Sequence, residues 1–150
     1  MRFRQLTRKD VPGIVSLLNS LSEEDRKNFS PHSFTQEYIN TLFSHHRIDL
    51  YFGLFQKEEL VGYSMLRGYS EGYRDPIFGG AIHNNYRGKG LGKKLLLKTI
   101  QYWKKYKSSD KMLLKVKKEN IAAIELYKKV GFILSEKKEY PEFYWGELKF

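Results

Sequence analysis

The sequence predicts an α/β fold in which helices flank one mixed central sheet of six to seven strands. Three observations predict it. Strand-like segments alternate with segments of helical periodicity along the chain. A glycine-rich turn at 86–92 joins an apolar strand to an amphipathic helix, and a second strand–helix unit follows directly. The chain has 150 residues, 41% of them hydrophobic, which suits one core, so residues 1–150 are expected to form a single domain.

The first half of the chain predicts one strand, three helices and a hairpin. Residues 1–6 alternate loosely, as in a strand, and apolar residues recur at helical spacing over 11–21. Polar and acidic residues that are typical of helix starts predict a short helix over 22–29 and another from residue 34. Two apolar runs around a polar turn within 50–66 are typical of a hairpin.

The second half predicts strands that alternate with helices. A strand over 77–82 leads into the glycine-rich turn. At roughly 100° per residue the helix after the turn has one apolar half, with Leu97 as the exception on its polar half. The apolar half contains Leu91, Gly92, Leu95, Leu96, Thr99, Ile100 and Trp103. A further helix is predicted over 121–130. The remaining strands are predicted at 112–116, 132–134 and 143–150.

Positive charge dominates the composition. Lys and Arg number 27 against 17 Asp and Glu, a formal net charge of +10. This balance favours an anionic partner such as nucleic acid, an acidic membrane surface or a phosphorylated small molecule. The chain has no recognisable nucleic-acid reader motif, so nucleic acid is not expected as a partner. Modest basic clusters at 104–107, 115–118 and 137–138 are expected to be solvated faces.

Several kinds of site and location are disfavoured by what the sequence lacks. The chain contains no cysteine, which excludes disulfides, thiolate metal sites and a cysteine nucleophile. No apolar run is long enough to cross a bilayer and residues 1–6 are not signal-like, so a cytoplasmic location without membrane contact is expected. His45 and His46 are adjacent and would diverge on a helix, and no ligand spacing occurs elsewhere, so no metal is expected.

The glycine-rich turn has the features of a phosphate cradle. Glycine adopts backbone angles that other residues resist, and it allows a ligand to approach the main chain. The start of the helix leaves amide N–H groups unpaired and carries partial positive charge, so an anion fits there. The alternative is a strand-to-helix turn in which glycine serves steric needs alone. The stretch reads Arg87-Gly88-Lys89-Gly90-Leu91-Gly92.

The second strand–helix unit carries a pair of polar candidates. Asn120 and Tyr127 are seven positions apart, so two helical turns bring them to nearly the same face. A phenol at the border of an apolar face can donate a proton to a leaving group. The alternative is that Asn120 is only an N-cap and Tyr127 only a core aromatic.

Together these two segments resemble the core of the GNAT family of N-acetyltransferases. The acyl-CoA motif of that family has Arg or Gln, two residues, Gly, one residue, and then Gly or Ala, which matches 87–92 here. The downstream signature of the family is also present. It reads Asn120-Ile121-Ala122-Ala123-Ile124-Glu125-Leu126-Tyr127-Lys128-Lys129-Val130-Gly131-Phe132. The order of predicted elements fits the family, while the sequence before Leu50 is only loosely similar.

The resemblance implies a cofactor site. The strands at 77–82 and 112–116 would splay apart, and the pantetheine arm of acetyl-CoA would pair with the backbone around Ala81, Ile82 and His83. The pyrophosphate would rest on the turn and helix start. The residues implied there are Arg87, Gly88, Lys89, Gly90, Leu91, Gly92 and Lys93. Asn120 would contact or orient the pantetheine arm, and Tyr127 would protonate the departing thiolate.

The resemblance also implies direct attack by a primary amine of a small molecule in a ternary complex, with amino sugars as one candidate class. The attacking amine must be neutral, and Glu71, Asp75, His83, Glu142 and water are all candidates for taking its proton. Alternatives are a non-catalytic acyl-CoA-binding module and acetylation of a protein or peptide amine. The aromatic last strand is compatible with a homodimer, which is common in the family.

The acceptor is expected to meet the first helices, the loop before residue 77 and the last hairpin. Aromatic and charged residues are concentrated in these segments, which suits stacking on a sugar, a base or an apolar amine. The candidates are Phe29, Phe34, Tyr38, Arg67, Tyr69, Glu71, Tyr73, Arg74, Tyr140, Phe143, Tyr144 and Trp145.

Overall fold

The computed structural model describes residues 1–44, 48–68, 72–106 and 109–150 and contains a seven-stranded mixed sheet. The strand order is β1-β2-β3-β4-β5-β7-β6, and every neighbouring pair is antiparallel except β4 and β5, which are parallel. The predicted fold class is confirmed. The strands are β1 Arg2–Gln5, β2 Leu50–Gln56, β3 Glu59–Arg67, β4 Ile77–Ile82, β5 Lys111–Lys117, β6 Ile133–Glu136 and β7 Phe143–Lys149.

Helices cover both faces of the sheet, as an α/β fold requires. The first and third helices pack around a core that includes Tyr51 and Tyr63, and the last two helices pack on the opposite face around Phe52 and Leu66. The helices are α1 Val11–Ser20, α2 Glu23–Asn28, α3 Gln36–Thr41, α4 Leu91–Tyr106 and α5 Ile121–Val130. No helix in the described part of the chain has the length and apolar character needed to span a membrane.

Helix α4 packs as its sequence pattern predicts. Its buried residues all come from the predicted apolar half, whereas Leu97 on the polar half is 44% exposed. Inside the core, the Thr99 hydroxyl donates to the Leu95 carbonyl and lies 2.8 Å from the Ser64 hydroxyl, so Ser64 donates to Thr99. This buried pair ties α4 to β3 and leaves neither hydroxyl unsatisfied.

The sheet opens between β4 and β5. The two strands pair at only two positions, Ile77 with Leu113 and Phe78 with Leu114. Beyond these, β4 continues to Ile82 alongside β3, and β5 continues to Lys117 alongside β7. Residues 79–82 therefore have no ladder partner from β5. Because backbone N–H and C=O groups require partners, this edge of β4 is available to an extended ligand.

Strand β7 lies inside the sheet, between β5 and β6. The homodimer that the aromatic last strand suggested would therefore not form through an exposed β7 edge. The edge strands are β1 and β6. The homodimer itself stays a prediction.

Candidate active site

Two adjoining cavities occupy the opening between β4 and β5. The glycine-loop cavity, of about 320 Å³, is lined by the end of β4, the glycine loop at 87–92, and the starts of α4 and α5. The β7 cavity, of about 670 Å³, is lined by the end of α2, the start of β4, and parts of β5 and β7. Five residues line both cavities, which therefore meet there, and they are Asn28, Phe29, Phe78, Gly79 and Lys115.

The glycine loop has the backbone that the sequence pattern predicts. Gly88 and Gly90 have φ values of +76° and +75°, in the left-handed region that side chains disfavour. A Cβ added at either position would meet no atom within 4 Å, so the space in front of the loop is open. The first α4 bond runs from the Lys94 amide to the Gly90 carbonyl at 3.3 Å. The amides of residues 91–93 precede that bond, and such amides favour an anion.

Of the three charged side chains in and next to the glycine loop, only Arg87 lines the cavity. Arg87 lines the cavity and pairs with Asp25 of α2, with Nη1 2.5 Å from Oδ2. This ion pair links the loop to α2 beside the mouth of the cavity. The side chains of Lys89 and Lys93 are exposed and line neither cavity. Lys93 would therefore contact a bound anion through its backbone amide. The two ammonium groups would act on the anion only by long-range electrostatic attraction.

The three residues that were predicted to pair with the pantetheine arm are Ala81 and Ile82 at the end of β4 and His83 directly after it. Ala81 and Ile82 line the glycine-loop cavity. The ring of His83 does not line either cavity, and its Nδ1 accepts a hydrogen bond from the Asn85 amide at 3.1 Å. His83 therefore caps the short 3₁₀ turn at Asn84–Tyr86, and the lone pair that a base would use is already engaged.

Tyr127 lies in the glycine-loop cavity beside its junction with the β7 cavity. Its ring packs against Phe78 and Phe132, with ring centroids 6.4 Å and 5.8 Å away. Burial raises the pKa of Tyr127 to about 12. The phenol is therefore neutral at physiological pH and can act as a proton donor. The same apolar surroundings would also raise the pKa of a thiol formed beside it, so burial weakens the phenol as an acid and strengthens the thiolate as a base.

Asn120 is placed at the start of α5, where it caps the helix and faces the cavity. Its Oδ1 accepts a hydrogen bond from the Ala123 amide at 3.4 Å, so Asn120 is the N-cap of α5. The residue also lines the glycine-loop cavity. An asparagine amide has donors as well as an acceptor, so the cap leaves the Nδ2 group for a ligand. At its other end, α5 stops at Gly131, which has φ +118°.

Among the described residues, no side chain that was predicted to accept the amine proton lines either cavity. Asp75 lies 3.9 Å from Lys111 Nζ and lines neither cavity. Glu142 is exposed and also lines neither cavity. Glu71 lies outside the described residues. Among the described residues that line the two cavities, Asp25 is the sole carboxylate, and Arg87 neutralises it.

The β7 cavity contains four of the predicted acceptor residues. These are Phe29, Arg67, Phe143 and Trp145. Of the rest, Tyr69 and Glu71 lie outside the described residues. The others line neither cavity, and they are Phe34, Tyr38, Tyr73, Arg74, Tyr140 and Tyr144.

The sequence missed three lysines of the β7 cavity. The cluster at 115–118 was expected to be a solvated face, and Lys115 is exposed, but it and the half-buried Lys117 also line the cavity, as does the exposed Lys27 of α2. The sequence pattern could have identified Lys115 and Lys117. Lys115 and Lys117 alternate with the buried Leu114 and Val116, so both lysines extend from the same side of β5. Nothing local marks Lys27, since only the tertiary fold brings α2 to this cavity.

Comparison with known proteins agrees with this geometry. The acetyltransferase (GNAT) family model matches residues 14–132. The chain is 35% identical over 86 residues to a spermine/spermidine N(1)-acetyltransferase of Bacillus subtilis, an alignment that covers 53% of this chain and 57% of that relative. The chain thus aligns with a little more than half the length of that curated relative.

Solved structures share the fold over nearly the whole chain. A spermidine N-acetyltransferase of Vibrio cholerae, in complex with CoA and spermine, matches with a TM-score of 0.80 and 20% identity, covering 99% of this chain and 94% of that chain. A GNAT family acetyltransferase of Streptococcus pneumoniae matches with a TM-score of 0.78 and 20% identity, covering 99% of each chain. Since the family model spans more than half of the sequence, the chain belongs to the GNAT family of acetyltransferases.

Proposed function

We propose that the protein is an acetyl-CoA-dependent N-acetyltransferase that acts on a primary amine of a small molecule in a ternary complex. One observation carries the proposal. The opening between β4 and β5 combines an anion cradle with a partly buried tyrosine, and it continues into a second cavity with space for an acceptor. A cofactor and an acceptor could thus bind from opposite sides and meet near Phe29 and Phe78.

The chain's own residues fit acetyl-CoA. The amides at the start of α4 would hold its pyrophosphate, and the open space in front of Gly88 and Gly90 leaves room for it. The unpaired edge of β4 at Ala81 and Ile82 would hydrogen-bond the amides of the pantetheine arm. The Nδ2 group of Asn120 would donate to a carbonyl of the same arm. When bound, acetyl-CoA supplies an activated thioester.

The chemistry assigned to the chain is a single direct transfer. The amine nitrogen forms a bond to the acetyl carbon, and the C–S bond breaks. Tyr127 holds its proton at the phenol oxygen until the sulfur takes it, and solvent then restores the phenol. The amine gives up one proton, and we assign that proton to water in the β7 cavity, because Asp75, His83 and Glu142 line neither cavity.

Binding and turnover can be tested separately. Acetyl-CoA should raise the melting temperature of the protein, since a ligand that binds only the native state stabilises it. Thiol release should then depend on an added amine. The panel should contain amino sugars, amino acids, peptides and polyamines, and the names of the curated relatives make spermine and spermidine the first polyamines to include. Absence of any shift would contradict the proposal, and a shift without thiol release would indicate a binding module.

A further inference from the structure

We propose that the acceptor is a primary amine that also carries a phosphate group, and that the β7 cavity disfavours polycationic amines. This inference rests on the proposed function, since it names the substrate class of the same site. It starts from the charge of the lining. Lys27, Arg67, Lys115 and Lys117 all line the β7 cavity, and no described residue of its lining is acidic.

Among the described residues, none of these four cations has the carboxylate partner that a few other cations have. Arg4 pairs with Asp10, Arg87 with Asp25, and Lys118 with Glu136. Within the described part of the chain no such pair involves a cation of the β7 cavity. Like charges gathered around one concave surface repel each other and attract an anion. A phosphate would relieve that repulsion, whereas a polyamine would add to it.

Two of the cations are held in place by neutral contacts. The Arg67 Nη1 donates to the Pro31 carbonyl at 2.6 Å, which orients the guanidinium and leaves its other N–H groups for a ligand. Lys115 Nζ lies 4.5 Å from the centroid of the Phe143 ring. Cation–π contact holds an ammonium without neutralising it. Both groups are thus positioned before a ligand arrives.

Trp145 supplies an independent observation. Its Nε1 is buried and has no hydrogen-bond partner among the described residues, and its ring lines the β7 cavity. Buried donors are normally satisfied, and an indole N–H can only donate. Only an acceptor such as a water or ligand oxygen can satisfy this N–H, and an ammonium group cannot.

The aromatic lining points to the rest of the acceptor. Phe29, Phe143 and Trp145 present apolar surface beside the cations. Such surface packs against a sugar ring or a base, while the cations contact phosphate oxygens. A phosphorylated amino sugar combines these features with an attacking amine. A monophosphate and a nucleotide diphosphate share this chemistry, so the experiment includes both.

The test compares amines that differ only in phosphate. Thiol release from acetyl-CoA is measured with glucosamine, glucosamine 6-phosphate, glucosamine 1-phosphate, UDP-glucosamine and spermine. We expect kcat/KM for at least one phosphate-bearing amine to exceed that for glucosamine by about 10-fold or more, the scale of one charge-assisted hydrogen bond. Spermine should be the poorest of the series. A higher kcat/KM for spermine than for every phosphate-bearing amine would overturn the inference and leave acetyl transfer itself intact.

Substitutions of single cations test whether the β7 cavity is responsible for the preference for phosphate-bearing amines. Lys117→Gln and Arg67→Gln should raise KM for the phosphate-bearing amine by about 10-fold while changing KM for glucosamine much less. Lys149→Gln is the matched control, because Lys149 is exposed on β7 and lines neither cavity. Equal losses for both amines would assign the two cations a general structural role and overturn the inference.

A binding measurement keeps the inference testable without turnover. Calorimetry with the CoA-loaded protein, in which the glycine loop is already occupied, should detect glucosamine 6-phosphate or UDP-glucosamine binding that Lys117→Gln weakens. If no phosphate-bearing amine binds more tightly than glucosamine, the inference is wrong whatever the activity. If acetyl-CoA itself does not bind, the proposed function fails instead.

Discussion

The glycine-loop cavity and the β7 cavity differ in the part of the chain that builds them. The first offers main-chain groups to a ligand, namely the free edge of β4 and the amides at the start of α4, beside the Tyr127 ring. The second is built from side chains of α2, β3, β5 and β7. A main-chain site recognises groups that every acyl-CoA has, whereas a side-chain site changes with each substitution. The comparison assigns cofactor binding to one cavity and acceptor choice to the other.

The largest expected effect is that of Gly90→Glu, which tests whether the glycine-loop cavity binds the cofactor. The substitution places a side chain at φ +75° and a carboxylate in the cradle, so acetyl-CoA affinity should fall by roughly 100-fold or more. Isothermal calorimetry measures this directly. Gly72→Glu is the matched control, because Gly72 has φ +86° with open surroundings and lines neither cavity. Equal loss of binding in both variants would mean that backbone strain, and not the cradle, is responsible.

A second test separates chemistry from binding within the glycine-loop cavity. Tyr127→Phe should lower kcat by about 100-fold, the usual scale of general acid catalysis, while acetyl-CoA affinity changes little. Steady-state kinetics and calorimetry on the same preparation give both numbers. Tyr102→Phe removes a phenol on α4 that lines neither cavity, and it should leave kcat unchanged. Unchanged kcat in Tyr127→Phe would assign Tyr127 to the core alone.

A third test concerns the β7 cavity alone. Trp145→Phe keeps an aromatic ring and removes an N–H that has no partner among the described residues. The KM for a phosphate-bearing acceptor should rise by about 5-fold, the scale of one neutral hydrogen bond, while acetyl-CoA affinity and the melting temperature stay nearly constant. An equal loss of acetyl-CoA affinity would remove the distinction between the two cavities.

The smallest expected effect concerns pH. Since burial raises the pKa of Tyr127 to about 12, its phenol keeps the proton throughout the range in which the enzyme can be assayed. The kcat profile should rise with pH as the acceptor amine loses its proton, and it should not fall again between about pH 8 and 10. A descending limb near pH 9 in wild type that Tyr127→Phe removes would show that the phenol ionises far more easily than its burial implies.

The predictable part of the molecule was the part with local signals. The helical wheel of α4 predicted its buried half and its exposed Leu97, and the predicted range 121–130 matches the bounds of α5. These succeed because helical periodicity, caps and left-handed glycines act over a few residues. The role of His83 was less visible, since its cap to Asn85 depends on how the chain turns after β4.

The β7 cavity was only partly predictable. Phe29, Arg67, Phe143 and Trp145 were expected near the acceptor, but Lys27 and Lys117 were not. The interior position of β7 was equally invisible, because strand order is set by pairing between segments that are distant in sequence. No local sequence pattern predicts which basic residues will line the same cavity.

The sequence by itself determined the fold class and the glycine loop, since both follow from short-range constraints on backbone angles and apolar spacing. Only the tertiary structure decided that β4 and β5 separate after two paired positions and that four cations gather beside them. The physical reason is that charges far apart in the chain acquire a common field only when packing brings them within a few ångströms.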